Sequence, residues 1–185
     1  LTHTQGYNPR PSVSIALPLS VGVDSVCELL DFEIEDQNIS CEEIMERLNQ
    51  TLVDGIRVLS VYSDFRKLKE LAYLKCSLIL EYDNGVPEGA SEKIGQLFNR
   101  ETLIVDKKGK NGVTEQDILP MIRRISVSKK DDQMIEMDAL ICCQNPSLNP
   151  TQLSAAVIKY LPDLSPDYTK GCRIQLYDHS ENIFK

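Results

Sequence analysis

The segment QGYNPRPSVSIALPLSVG, residues 5–22, decides how the rest of the chain is read, because it joins a stiff polar stretch directly to an apolar strand. Gly6 takes a positive φ without steric cost, so residues 4–7 read as a turn. In Asn8-Pro9-Arg10-Pro11 each proline fixes its own φ and pushes the residue before it toward an extended conformation. The missing proline N–H groups keep this piece out of a central strand. Its side chains are presented from a backbone that loses little entropy on binding. Gln5, Gly6, Tyr7, Asn8, Pro9, Arg10 and Pro11 therefore form a candidate binding loop, with Gln5, Asn8 and Arg10 as its hydrogen-bonding groups. The plainer alternative is an edge loop that only sets the register of the next strand. From Ser12 the pattern alternates strictly, with Val13, Ile15 and Leu17 on one face and Ser12, Ser14 and Ala16 on the other. That is a half-buried strand, closed by Pro18.

The run QGYNPRPSVSIALPLSVGV, followed by ELLDFEI at residues 28–34, closely resembles the signature of the radical-SAM-linked family of uncharacterised bacterial proteins. Members are encoded beside, or fused to, a radical SAM protein that also carries a cobalamin-binding domain. The resemblance implies that partner. It also implies a strand and a basic helix with a Ser-His-Leu-Asp motif ahead of the signature, which would precede Leu1.

Further along, Leu30, Phe32 and Ile34 alternate with Asp31, Glu33 and Glu35, and this strand pairs antiparallel with the first through Val21-Gly22-Val23-Asp24. Ser40 starts a helix with Glu43 completing a capping box, Ile44 and Leu48 form its apolar stripe, and residues 56–62 return as a strand. With the strand and helix implied in front, the order becomes β-α-β-β-α-β, a ferredoxin-like split unit truncated at its N-terminus. Residues 73–82 hold the best strand of the chain, with Leu74, Cys76, Leu78, Leu80 and Tyr82 on one face. A short helix at 91–98, a strand at 102–105, a basic glycine-containing loop at 106–113 (DKKGKNGV), and a hairpin of 121–127 with 135–143 come next. Asn149 caps the last helix with Pro150 at its first position, and residues 172–177 close the chain as a strand. Strand, capped helix and closing strand thus occur twice, which suggests two similar halves. The second half holds one strand more than the split unit needs, so either 102–105 or 121–127 is an addition. The expected fold is α+β, two ferredoxin-like units with antiparallel sheets, at 1–64 and 72–178 with a connector at 65–71.

At 185 residues, 42% hydrophobic and 26% charged, the chain is in the ordinary range for a globular protein. No apolar run reaches membrane-helix length, and a cytoplasmic location is the expectation. The charge of −8 is uneven: residues 24–54 hold ten acids and one base, residues 65–130 thirteen bases and nine acids. Any nucleic-acid footprint would therefore be local. The six cysteines show no C-x-x-C pair and read as buried, reduced thiols. The triple-cysteine spacing of a radical SAM cluster is absent, so this chain is not the radical enzyme, and no metal site or cofactor of its own is expected.

No Ser-His-Asp order, H-E-x-x-H, P-loop or post-strand G-x-G-x-x-G is present, and His3 and His179 read as exposed residues near the ends. Glu28 and Asp31 would matter if they converged with other groups, but Asp31, Glu33 and Glu35 share the polar face of one strand, as on a solvated sheet. Lys107, Lys108 and Lys110 in the basic loop, with Arg123 and Arg124, are the candidate RNA contacts. Against RNA stand the acidic total and the lack of an aromatic pair on one strand. No catalytic residue is assigned. The first expectation is a non-catalytic substrate- or partner-binding domain acting with the radical SAM/cobalamin protein. An RNA-binding module presenting tRNA or rRNA is the second, and an enzyme using Glu28 and Asp31 the third. An exposed sheet edge would be a route to homodimers.

Overall fold

The computed structural model describes residues 1–36, 38–63, 66–109 and 112–185. In chain order the elements are β1 (Val13–Ile15), β2 (Val23–Ser25), β3 (Leu30–Phe32), α1 (Cys41–Thr51), β4 (Leu71–Glu81), α2 (Ala90–Leu97), β5 (Ile104–Gly109), β6 (Gly112–Asp117), β7 (Ile122–Lys129), β8 (Met134–Cys142), α3 (Thr151–Tyr160) and β9 (Tyr168–Asp178). The fold is α+β with mostly antiparallel sheets. Two compact units result: Leu1–Ala16 with Glu28–Leu68 and Lys185, and Leu17–Cys27 with Lys69–Phe184. Residues 64 and 65, where the first expected unit and its connector meet, lie outside the described residues.

The second unit is built on β4. Leu74, Cys76, Leu78, Leu80 and Tyr82 are all buried, as their alternation requires. β4 pairs antiparallel with β8 on one side and β9 on the other, inside a five-stranded sheet of order β2-β9-β4-β8-β7. Helices α2 and α3 bring Ile94, Leu97, Leu153, Ala156 and Val157 into the core. The Tyr82 hydroxyl donates to Leu164 O at 3.0 Å, so its polar end is satisfied inside. Asn149 and Gln152 cap α3 reciprocally: Asn149 Oδ1 accepts from Thr151 N at 3.0 Å, and Gln152 Oε1 accepts from Asn149 N at 3.1 Å. The Tyr160 hydroxyl accepts from Ile104 N at 3.2 Å and donates to Ile104 O at 3.1 Å, tying α3 to β5.

Two expectations about this region change. Of residues 106–113, 110 and 111 lie outside the described residues and the others are not loop: residues 106–109 lie on β5, and Gly112 and Val113 on β6, of a two-stranded ribbon registered from Ile104↔Asp117 to Gly109↔Gly112. The β-branched pair Val113-Thr114 continues the strand beyond Gly112, which takes a φ of 115°. Of the two strands that could have been additions, β5 pairs outside the main sheet, whereas β7 lies at its edge. Residues 21–24 are not merely a turn either. β2 lies among them and pairs in parallel with β9 (Val23↔Gly171 to Ser25↔Arg173), so Leu17–Cys27 clusters with the second unit. Arg173 holds this segment through Nη1, which donates to Leu17 O at 2.8 Å.

In the first unit β1 and β3 pair antiparallel from Val13↔Phe32 to Ile15↔Leu30. Ser40 caps α1, its Oγ accepting from Glu43 N at 3.2 Å, but the Glu43 carboxylate turns to Arg47 instead of closing a capping box. Burial is where the expectation fails: Val13, Ile15 and Leu30 are 44%, 55% and 50% exposed, and no hydrophobic residue of this unit is buried among those described. Three-residue strands in a two-stranded pair cannot cover one another's apolar faces. Nor do residues 56–62 form a strand. The Asn49 side chain takes up their backbone instead, accepting from Val58 N at 2.8 Å and donating to Val58 O at 3.0 Å.

Two stability outcomes are expected. Replacing Asn149 by alanine should cost about 1 kcal/mol in denaturant unfolding of the second unit. Burial, and for Cys76 also the Asp138 charge, pushes the thiol of Cys76 to about 12, and burial pushes Cys143 to about 11, both from near 9. The folded state therefore holds these protons more tightly, and the associated stability is constant below about pH 9 and lost as pH rises from there toward 11 to 12. Unfolding free energy measured from pH 8 to 10.5 should fall above pH 9 by up to about 1.4 kcal/mol per pH unit for each thiol, less steeply in Cys76→Ala.

Candidate functional site

The loop at residues 4–11 is closed at its base by its own backbone. Thr4 N donates to Arg10 O at 2.8 Å and Arg10 N donates to Thr4 Oγ1 at 3.1 Å. His3 and Pro11 form a bridge just below, and Ser12 N donates to Thr2 O at 2.9 Å. Gly6 makes the turn with a φ of 143°, outside the range a side chain tolerates comfortably. Between these braces Gln5, Tyr7, Asn8 and Pro9 are exposed, and Tyr7 has the accessibility of a free residue, 102%. An aromatic ring left wholly in water on a braced loop serves no packing within the chain and is fully available for contact.

The structure does not bring the other sequence-selected residues of this unit into a site. Asp31 sits on β3 opposite Ser14, Glu28 is an exposed residue ahead of β3, and Glu33 Oε2 accepts from Thr2 Oγ1 at 3.1 Å. Among the described residues no group of three His, Cys, Asp or Glu side chains could hold a metal ion. Among the same residues no helix is long and apolar enough to cross a membrane.

The basic residues separate into two places in the second unit. Lys107 stands on β5 and donates to Ser147 O at 3.4 Å; Lys108 is on the same strand, and Lys110 lies outside the described residues. Arg123 and Arg124 lie on β7, where a register shift between Ile122 and Arg124 interrupts the pairing with β8. Strict alternation would send adjacent arginines to opposite faces; the extra residue of a bulge lets both reach the same one. They converge on Glu181, with Arg124 Nη2 at 2.8 Å from Oε2 and Arg123 Nε at 3.6 Å from Oε1. Arg123 also lies over the ring of Tyr73, 5.3 Å from its centroid, and His179 meets that ring edge-on at 6.4 Å. Tyr73 is paired across the sheet with Tyr177 and with Cys142. The Cys142 thiol is pushed up by burial while Arg123 pulls the other way.

Sequence reasoning missed two parts of this cluster. Tyr73 and Tyr177 are cross-strand partners on β4 and β9, an aromatic pair that no single strand displays side by side; their positions on two expected strands were the available signal. Glu181 gave none, because its placement depends on a turn. Asp178 builds that turn, its Oδ1 accepting from Ser180 N at 2.9 Å and Asn182 N at 3.0 Å, and Glu181 adopts a φ of 60°. A groove of about 490 Å³ runs along the β7 edge, with Phe98, Arg100, Glu101, Pro120, Arg123 and Arg124 in its wall.

Among known proteins, residues 1–150 match the family described as "Uncharacterized protein conserved in bacteria (DUF2344)". No curated protein and no solved structure matches the chain. The braced loop, the signature strand and most of the main sheet fall inside the matched region, and the chain belongs to that bacterial family.

Proposed function

We propose that this chain is a non-catalytic binding domain that works with a cobalamin-dependent radical SAM enzyme, holding that enzyme or its substrate while the chemistry happens elsewhere. The observation that carries the binding role is the loop at residues 4–11, fastened at its base by the Thr4 and Arg10 bonds and presenting a fully exposed Tyr7. A pre-ordered loop loses little entropy on docking, and aromatic and arginine side chains are the groups that most often dominate an interface. The choice of partner rests on the resemblance of the residue 5–23 and 28–34 segments to the radical-SAM-linked signature. No cofactor is assigned to this chain, and a cytoplasmic setting is part of the same reading.

We read the second unit as ferredoxin-like. The support is its strand order β9-β4-β8-β7, with α2 following β4 and α3 following β8, every neighbouring pair antiparallel. The first unit, with β1, β3 and α1, supplies the last part of a second such unit. Self-association through the β7 edge is part of this reading too. An RNA-binding role is the second reading; its specific support is the Arg123 and Arg124 pair rather than the β5–β6 ribbon.

Titration calorimetry of the chain against the cobalamin-binding radical SAM protein at moderate salt tests the first reading. Tyr7→Ala and Arg10→Ala should each weaken binding by roughly tenfold or more, since both substitutions leave the loop's backbone bonds in place. No binding, or affinity unchanged in both variants, contradicts it.

A further inference from the structure

We propose that the uncovered face of the second unit's sheet is a binding site for a short single strand of nucleic acid, and that Glu181 occupies its phosphate position in the free protein. This deepens the RNA reading and is independent of the loop and its protein partner. Three features carry it. The core side of β4 is taken by Leu74, Cys76, Leu78, Leu80 and Tyr82, so Tyr73, Lys75 and Ser77 point to the other side, where Tyr73 is half-buried and Lys75 exposed. Tyr73 and Tyr177 are direct cross-strand partners there, which puts two aromatic side chains on neighbouring strands at the same face of the sheet. Arg123 and Arg124 stand together next to them through the bulge, at 52% and 68% side-chain exposure, so their guanidinium groups remain reachable by a phosphate. Rings for stacking flanked by cations for the backbone are what sequence-tolerant single-strand recognition needs.

Glu181 explains how such a pair exists in a chain of net charge −8. Its two carboxylate oxygens are divided between the two guanidinium groups, as two oxygens of one phosphate would be. It is also the one non-glycine with positive φ among the described residues, and the left-handed region disfavours a side chain there. A strained residue delivering a carboxylate to two exposed arginines is a removable internal anion. Glu136, Asp138 and Asp24 lie along the same sheet, on β8 and β2, so the footprint is confined to the Tyr73 and Arg123 end.

Fluorescence anisotropy with labelled mixed-sequence octamers of RNA and of DNA, titrated into the intact chain over a range of salt, tests this. Both octamers should bind, and RNA binding tighter than DNA would assign the ligand to RNA through its 2′-hydroxyls. Glu181→Gln should tighten binding several-fold, a gain that misfolding cannot produce. Arg124→Gln should weaken it and reduce the log–log salt slope by about 0.7, the value of one single-strand phosphate contact. Tyr177→Ala should weaken it roughly tenfold. The proposal is overturned if neither octamer binds wild type or Glu181→Gln, if binding depends on Lys107 and not on Arg124, or if hexaglutamate binds where the octamers do not.

Discussion

Pairing of β4 on both of its edges is the constraint on which the second unit depends. From Tyr73 to Glu81 it is registered with β8 on one side and β9 on the other, so most of both rows of its peptide groups are taken up within the sheet. Once that strand is central, alternation fixes everything placed against it. Leu74 to Tyr82 on one face specify where α2 and α3 must lay their apolar residues, and Tyr73 to Ser77 on the other specify an uncovered sheet surface. A shift of one residue would exchange the two faces, burying Lys75 and Ser77 and exposing the core leucines. The chemistry available to the unit is therefore decided by the same register that decides its stability.

The first unit shows the opposite balance. Val13, Ile15 and Leu30 satisfy the pattern of a half-buried pair and stay largely in contact with water, because three residues per strand give too little surface to close a core. What this unit holds firmly is polar: the Thr4 to Arg10 bonds, the Ser40 cap and the Asn49 clasp on Val58. Such bonds keep a loop in shape with little apolar surface.

Legibility in the sequence tracks the range of the interactions involved. Strong alternation at residues 73–82 and the Asn149-Pro150 cap are local signals with a strict period or a fixed offset, and both elements form where those signals place them. The β5–β6 ribbon is not readable in this way, because glycines and lysines between two strands look like a loop until the partner strand is known. The placement of β2 in the sheet of the second unit depends on a parallel pairing with residues about 150 positions away, which no local pattern encodes. In the aromatic and arginine cluster each residue is visible in the sequence and its company is not. The bulge at Arg123 and the turn at Asp178 bring Arg123, Arg124, Tyr73 and Glu181 together, and both are irregularities that periodicity averages away.

Amide hydrogen exchange, resolved by segment, tests most directly the claim that a doubly paired β4 organises the second unit while polar braces alone hold the first. The slowest exchange is expected in β4, β8 and β9, near the limit set by global unfolding, with β1, β3 and α1 exchanging faster by orders of magnitude through local opening. Equal protection in β1, β3 and β4 would contradict the claim, because it would mean that a buried core, not the braces, holds the signature loop in place.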